Sequence, residues 1–310
     1  MISTEELSKR LYDLIRTVVC VLPDSTAEAL HDASRKETNP LAKIHLESSL
    51  HQMTFSREKM IPLCADTGYP VFYIRSGENA PVAGGIPSIE TAAVKAVERA
   101  TIDGWLRPLI VDPLSWRNPE TNVGIDSPYF DYRFDPSFDG VDITYAPKGG
   151  GTELFLAPSY KVVLAAEGLK GMKRYIFDTV GVLSGRAGET CTPNIVGVGL
   201  GGTSDLCMRL AKQAAMLRPI GDRHPEKRVA EMELELLSAL NETGIGALGT
   251  GGEITVLDVH IEYSMGRVNG IPVGVALQCP ATRIGTLRIQ KDGTTQVLQW
   301  PEWFRRDGHS

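Results

Sequence analysis

The sequence predicts a mixed α/β fold: a helical N-terminal layer over residues 1–60, followed by mixed sheets flanked by helices, with the chemistry-bearing residues on loops. Three observations predict it. Apolar residues recur at helical spacing through the first sixty positions. From about Cys64 the texture changes to short apolar strands alternating with helices. The composition is ordinary for a globular chain, with 42% hydrophobic and 23% charged residues among 310.

Taken in order, Leu7, Leu11, Leu14, Ile15 and Val18 form the apolar stripe of a first helix behind a capping box, Ser3 to Glu6. A second box, Ser25 to Glu28, opens the next helix, and Asn39-Pro40 starts a third. Strands are expected at Val71–Ile74 and Leu109–Val111, on either side of a helix from Ser88 to about Ala100. The segment Asp112 to Asp139, rich in Pro, Asn and Asp, reads as a long functional loop, and Val141–Tyr145 alternates with the period of a strand. Helices follow around Leu169–Leu183, Asp205–Leu217 and Pro225–Thr243, the last ended by Gly244, with a strand at Asn194–Val198. The end is strand-rich, with a hairpin turn at Lys291-Asp292-Gly293. No repeat, linker or composition break divides the chain, so residues 1–310 are expected to form a single domain with a mobile tail from Phe304 to Ser310.

The net charge of −6 offers no basic field to a phosphate backbone, so nucleic acid is not an expected partner. Neither a signal h-region nor a stretch of about 20 apolar residues occurs. A membrane is therefore not expected to be a partner, and the chain is expected in the cytoplasm.

Two glycine-rich strings carry chemical meaning. Gly197-Val198-Gly199-Leu200-Gly201-Gly202 fits the dinucleotide fingerprint, yet the region about twenty residues on is broken by Pro219 and Pro225. It is therefore read as a nucleotide turn or, in preference, as a place where the backbone closely approaches another element. Lys148-Gly149-Gly150-Gly151-Thr152 leaves amides to face an anion such as a carboxylate, or is a strained turn without a ligand.

Five cysteines spread over a long chain do not suggest a disulfide framework. Cys20 and Cys207 lie on apolar or helix-opening positions and read as small core residues. Cys64, Cys191 and Cys279 lie in expected loops, 127 and 88 residues apart. They read either as three ligands of a cubane cluster with one open iron or as unrelated cysteines.

At these residues the sequence resembles the class I fumarase family of iron–sulfur hydro-lyases, which includes two-subunit tartrate dehydratase. The motifs are Cys64-Ala65-Asp66-Thr67-Gly68, Gly149–Gly151, Thr190-Cys191-Thr192-Pro193, Gly201-Gly202-Thr203-Ser204, and Cys279 followed by Arg283. The strings Leu217 to Pro225 and Val259-His260-Ile261-Glu262 look most like the α subunit of the two-subunit enzymes. The resemblance implies that Cys64, Cys191 and Cys279 hold a [4Fe–4S] cluster, that Asp66 is an active-site carboxylate, and that Arg107, Gly150 and Gly151 bind substrate. The implied reaction is the reversible dehydration of a small hydroxy dicarboxylic acid. Asp66 also reads as an Asx-turn, and Arg107 as a surface arginine.

Three departures qualify this. The family's Gln after the first cysteine is Ala65, and its active-site histidine, counted back from the last cysteine, falls at Arg267. Arg267 is then expected either to pair with an extra anion on an altered substrate or to be a turn residue. Only 31 residues follow Cys279, where fused family members carry a further domain with the catalytic base. The expectation is therefore an α subunit completed by a separate β subunit, in a hetero-oligomer or dimer. A nucleotide-dependent oxidoreductase using Gly197–Gly202, and a non-catalytic cluster-binding relative, are the alternative readings. His224 and His260 are expected to be satisfied structural histidines.

Overall fold

Three N-terminal helices form in the computed structural model, which describes residues 1–154 and 158–302; periodicity places all three, but the second starts at Asp24, so Ser25 lies inside it and does not cap it. They are α1 (Thr4–Cys20), α2 (Asp24–Lys36) and α3 (Pro40–Lys59). The Ser3 hydroxyl accepts the Glu6 amide at the start of α1, and Asn39 Oδ1 accepts the amides of Leu41 and Ala42 at the start of α3. Next come β1 (Val71–Ser76), α4 (Ile86–Ile102), β2 (Tyr129–Phe134), β3 (Gly140–Tyr145), the short α5 (Gly151–Leu154) and β4 (Ser159–Leu164). The chain continues through α6 (Gly168–Gly185), the short α7 (Ala187–Thr190), β5 (Asn194–Leu200), α8 (Ser204–Leu217) and α9 (Lys227–Asn241). It ends with β6 (Val256–Tyr263), β7 (Gly270–Gln278), β8 (Gly285–Gln290) and β9 (Thr295–Leu298). The tail Phe304–Ser310 lies outside the described residues.

The fold is mixed α/β, as expected, and its contacts divide the chain into two units. The first comprises residues 1–23, 52–149 and 283–303, and holds a five-stranded sheet in the order β2-β1-β3-β8-β9. The apolar face of α1 packs with α4 on this sheet, joining Leu7, Leu11 and Ile15 to Ile89, Ala93, Phe72, Ile143 and Ile289 in one core. The second unit, residues 24–51 and 150–282, holds a four-stranded sheet in the order β4-β7-β5-β6. Its core joins Val196 and Val198 to Val259, Ile261, Val275, Ile176 and Leu236.

Several elements differ from the sequence reading. Leu109–Val111 is not a strand: Pro108 and Pro113 flank it, and the Leu109 amide is taken by Asn122 Oδ1 at 2.8 Å rather than by a ladder. The long loop expected over Asp112–Asp139 contains β2, which pairs in parallel with β1 and stacks Phe130 on Phe72. Strand β3 alternates in sequence, yet all six of its residues are buried, because it lies in the middle of its sheet. Helix α9 begins two residues later than expected, at Lys227. The hairpin at residues 291–293 joins β8 to β9 as expected, with Gly293 at φ +87°.

Strand β6 is an edge strand whose outer side is closed by side chains. Glu233 Oε1 accepts the Ile261 amide at 2.8 Å and is paired with Arg218 at 2.6 Å, all in the interior. The loop from Leu217 to Pro225 is stapled alongside, where Asp258 accepts the Gly221 amide at 2.6 Å and pairs with Arg223 at 2.8 Å. A dense ionic network thus does for this edge what a neighbouring strand would do.

Candidate active site

In the first unit the Cys64–Gly68 turn is built by short polar contacts. Asp66 Oδ1 accepts the Gly68 amide at 3.0 Å, the Asx-turn that the sequence allows. Gly68 takes φ +86°, and a Cβ there would stand 3.0 Å from the Cβ of Pro147, so a side chain is excluded on both counts. Tyr69 and Lys148 then exchange backbone hydrogen bonds at 2.8 and 2.9 Å, clamping the turn to the chain that leads into Gly149.

The same turn places Arg107. Thr67 is buried, and its Oγ1 accepts the Arg107 amide at 3.0 Å, while Asn122 Nδ2 donates to the Arg107 carbonyl at 2.8 Å. The backbone of Arg107 is thereby fixed and its side chain is exposed. Arg283, two residues before β8, donates from Nη1 to the Asp66 carbonyl at 2.6 Å. A Cβ on Gly149 would stand 3.7 Å from Asp66 Oδ2 and 3.8 Å from Arg283 Nη2, so both groups border the space that a side chain would fill. Cys64, Asp66, Arg107 and Gly149 are therefore brought together within this unit.

In the second unit Cys191 is exposed at φ +56°, three residues before β5. Its turn is held by Asn194 Nδ2, which donates to the carbonyls of Thr190 at 2.9 Å and Cys191 at 3.3 Å. Thr192 Oγ1 adds a bond to the Gly246 carbonyl at 2.7 Å. Cys279 follows β7 directly and is half-buried. Strands β5 and β7 are antiparallel with Ile195 opposite Gln278, so Cys191 and Cys279 lie at the same end of the sheet. Gly151 joins this end, its Cα pressed against the Glu189 carbonyl, with Gly150 accepting the Glu153 and Leu154 amides. Among the described residues, Thr190 Oγ1, Asn194 Oδ1 and Gln278 Oε1 are buried there without a hydrogen-bond partner.

Arg267 is not brought to this end. It is exposed in the turn between β6 and β7, where it lines an open cavity of about 640 Å³ beside Val162 and Leu164 of β4. Nine residues of β7, about 30 Å of strand, separate that turn from Cys279. The strand runs from Arg267 toward Cys279, so the two stand at opposite ends of β7.

Gly197 and Gly199 do not form a phosphate loop. They lie inside β5, where added Cβ atoms would stand 2.1 Å from the Ala211 carbonyl and 2.0 Å from the Cys207 carbonyl. The glycines exist to let α8 lie on the strand, which is the close backbone approach expected as the preferred reading. His260 is buried between Asp258 Oδ2 at 3.1 Å and the Ala214 carbonyl at 3.2 Å, and His224 Nδ1 accepts the Glu226 amide at 3.0 Å. Both are satisfied within the fold, as expected.

The five cysteines form no disulfide. Burial pushes the thiols of Cys20 and Cys207 up to about 11, which suits core residues and not ligands. Among the described residues, no three His, Cys, Asp or Glu side chains are gathered closely enough to hold a metal ion, and no helix is long and apolar enough to cross a membrane. Arg283 and Thr67 stand within the motifs without an expected role, and Asn122 and Tyr145 lie outside them. Their signal lay only in proximity across the chain.

Comparison with known proteins gives the family. Residues 8–288 match the fumarate hydratase (Fumerase) family. The chain is 37% identical over 288 residues to the putative L(+)-tartrate dehydratase subunit alpha of Methanocaldococcus jannaschii, covering 93% of this chain and 99% of that one. It is 33% identical over 277 residues to the L(+)-tartrate dehydratase subunit alpha of Escherichia coli K12, covering 89% and 88%. The same figures hold for that of Shigella boydii serotype 4. With its motif residues on the turns described and a match along most of its length, this chain belongs to the fumarate hydratase family of hydro-lyases.

Proposed function

We propose that the chain is the cluster-bearing α subunit of a [4Fe–4S] hydro-lyase that reversibly dehydrates a small hydroxy dicarboxylic acid of the fumarate/malate or tartrate type. We propose further that a separate β subunit completes it, in a hetero-oligomer or dimer. The observation that carries this reading is the Cys64–Gly68 turn, which sets a carboxylate two residues from a cysteine and fixes an exposed guanidinium beside it. The names of the relatives support the α-subunit assignment and the substrate class.

The donor set suits the cluster. Cys64, Cys191 and Cys279 are more accessible than the two core cysteines, stand on turns and are outside any disulfide. They would be its three thiolate ligands, leaving one iron open. When bound, the cluster supplies a Lewis acid that weakens the substrate C–O bond. The chain's own groups do the rest of what this subunit contributes. Arg107 offers a guanidinium fork to a substrate carboxylate, held in place by the Thr67 and Asn122 contacts to its backbone. The Asp66 carboxylate, its Oδ1 locked by the Gly68 amide, faces Gly149 with Oδ2 and accepts a hydrogen bond from a substrate hydroxyl. Gly150 and Gly151 are proposed to face the substrate through their backbone, and a Cβ on Gly151 would meet the Glu189 carbonyl, two residues before Cys191. Arg267 takes no part in this arrangement.

The test is iron and sulfide analysis with EPR on anaerobically purified chain, compared with Cys64→Ser, Cys191→Ser and Cys279→Ser. About four irons per chain, and a three-iron signal on mild oxidation that each substitution abolishes, support the reading. No iron after reconstitution, or full turnover by this polypeptide without another subunit, overturns the corresponding half of it.

A further inference from the structure

The Arg283 guanidinium is buried without a counter-charge. Its side chain is 2% exposed, yet among the described residues its one hydrogen bond runs from Nη1 to the Asp66 carbonyl, and no carboxylate forms an ion pair with it. Among the described residues its Nε is buried with no partner, and so is the hydroxyl of Tyr145, a wholly buried residue that feels the Arg283 charge. Taking a cation out of water without an anion costs several kcal/mol, and an unmade buried hydrogen bond about 1–3 kcal/mol more. A fold keeps such a group when something else completes it. Among the described residues the other buried arginine, Arg218, gives the contrast: it is paired with Glu233 at 2.6 Å and with Asp222 at 3.1 Å.

The surroundings define what completes Arg283. Its Nη2 borders the space over Gly149 from one side, and Asp66 Oδ2 borders it from the other. A ligand touching both must present an acceptor with negative charge to the guanidinium and a hydrogen-bond donor to the carboxylate. A hydroxy acid does this, with its carboxylate on Arg283 and its hydroxyl on Asp66. Gly149 has ordinary backbone φ, so its lack of a side chain reflects the need for room and not for a left-handed turn.

We propose that Arg283 is a substrate-binding residue that, with the Tyr145 hydroxyl, receives one carboxylate of a hydroxy acid over Gly149. Arg107 is then left for the second carboxylate. This rests on the function proposed above and gives this chain a carboxylate site of its own, formed by residues that stand 217 positions apart.

The test measures binding of L-malate, L(+)-tartrate and malonate by calorimetry to the full chain with its cluster reconstituted, alongside Arg283→Gln, Arg283→Lys and Gly149→Ala. Gly149→Ala is the variant that preserves the fold, because its Cβ meets only contacts of 3.7 Å and longer while occupying the space. The expected result is a Kd raised at least tenfold by Arg283→Gln and by Gly149→Ala, partial recovery in Arg283→Lys, and iron content and EPR signal unchanged. Wild-type chain that binds a probe, with Gly149→Ala and Arg283→Lys binding equally well, overturns this proposal and leaves the hydro-lyase reading intact. Altered iron content or EPR with unchanged Kd also overturns it, since the guanidinium then answers the charge of the cluster. Wild-type chain that binds none of the three probes also overturns this proposal, since the site it describes lies within this chain, and leaves the hydro-lyase reading to the assembled enzyme.

Discussion

Thr67 Oγ1 accepts the amide of Arg107 at 3.0 Å, and this bond ties the turn that carries Cys64 and Asp66 to the one exposed guanidinium beside it. Thr67→Val keeps the volume and removes the acceptor. The expected loss of stability is about 1 kcal/mol, since the stranded amide is only partly buried. A several-fold rise in KM with a smaller change in kcat is expected, because the change loosens a binding group. Steady-state kinetics of the assembled enzyme, with a thermal melt of each protein, check both.

Asp258 gives the fold a pH dependence of definite sign. Burial works to raise its carboxyl, but the hydrogen bond and charge of His260, the Gly221 amide and the Arg223 guanidinium outweigh it and hold the group at about 2, against an ordinary 3.8. A depressed carboxyl contributes stability that is complete above about pH 4 and disappears as pH falls through about 2. The contribution is about 2 kcal/mol by linkage. Urea midpoints measured between pH 5 and 2 should fall steeply in the wild type and with a shallower slope in Asp258→Asn.

The five cysteines should separate by reactivity. Thiols held up to about 11 by burial contribute little thiolate at pH 8, so Cys20 and Cys207 are expected to resist alkylation of the folded chain. Cys64, Cys191 and Cys279 should label first in cluster-free protein and be protected when the cluster is present. Mass spectrometry of peptides after a timed iodoacetamide pulse reads the order, and fast labelling of Cys207 would contradict the packing described.

Gly197→Ala tests the reading of the glycine string. Its Cβ would stand 2.1 Å from the Ala211 carbonyl and 2.4 Å from the Ala215 amide, so α8 must lift from β5. Overpacking of this kind costs about 1–3 kcal/mol or more. Denaturant unfolding should show that loss, and NAD(P)H titration of the wild type should show no saturable binding.

The elements legible in the sequence are those whose cause is local. The stripe of α1, the Ser3 and Asn39 caps, the glycine that ends α9 and the turn before β9 all follow from contacts within a few residues. The Asp66 turn belongs with them, since its hydrogen bond spans two residues. Strand β2 was hidden because a Pro- and Asn-rich segment becomes a strand only when β1 lies alongside to take its hydrogen bonds. The same limit governs the site. Cysteines and carboxylate could be named from motif order, but the direction of β7 carries Arg267 away from Cys279, and the turn before β8 lays Arg283 on the Asp66 carbonyl. Local chain chemistry sets turns, caps and helix faces over a few ångströms. Which charged groups meet depends on how sheets bring together segments some two hundred residues apart, and that is decided by burial of the core rather than by any residue in the motifs.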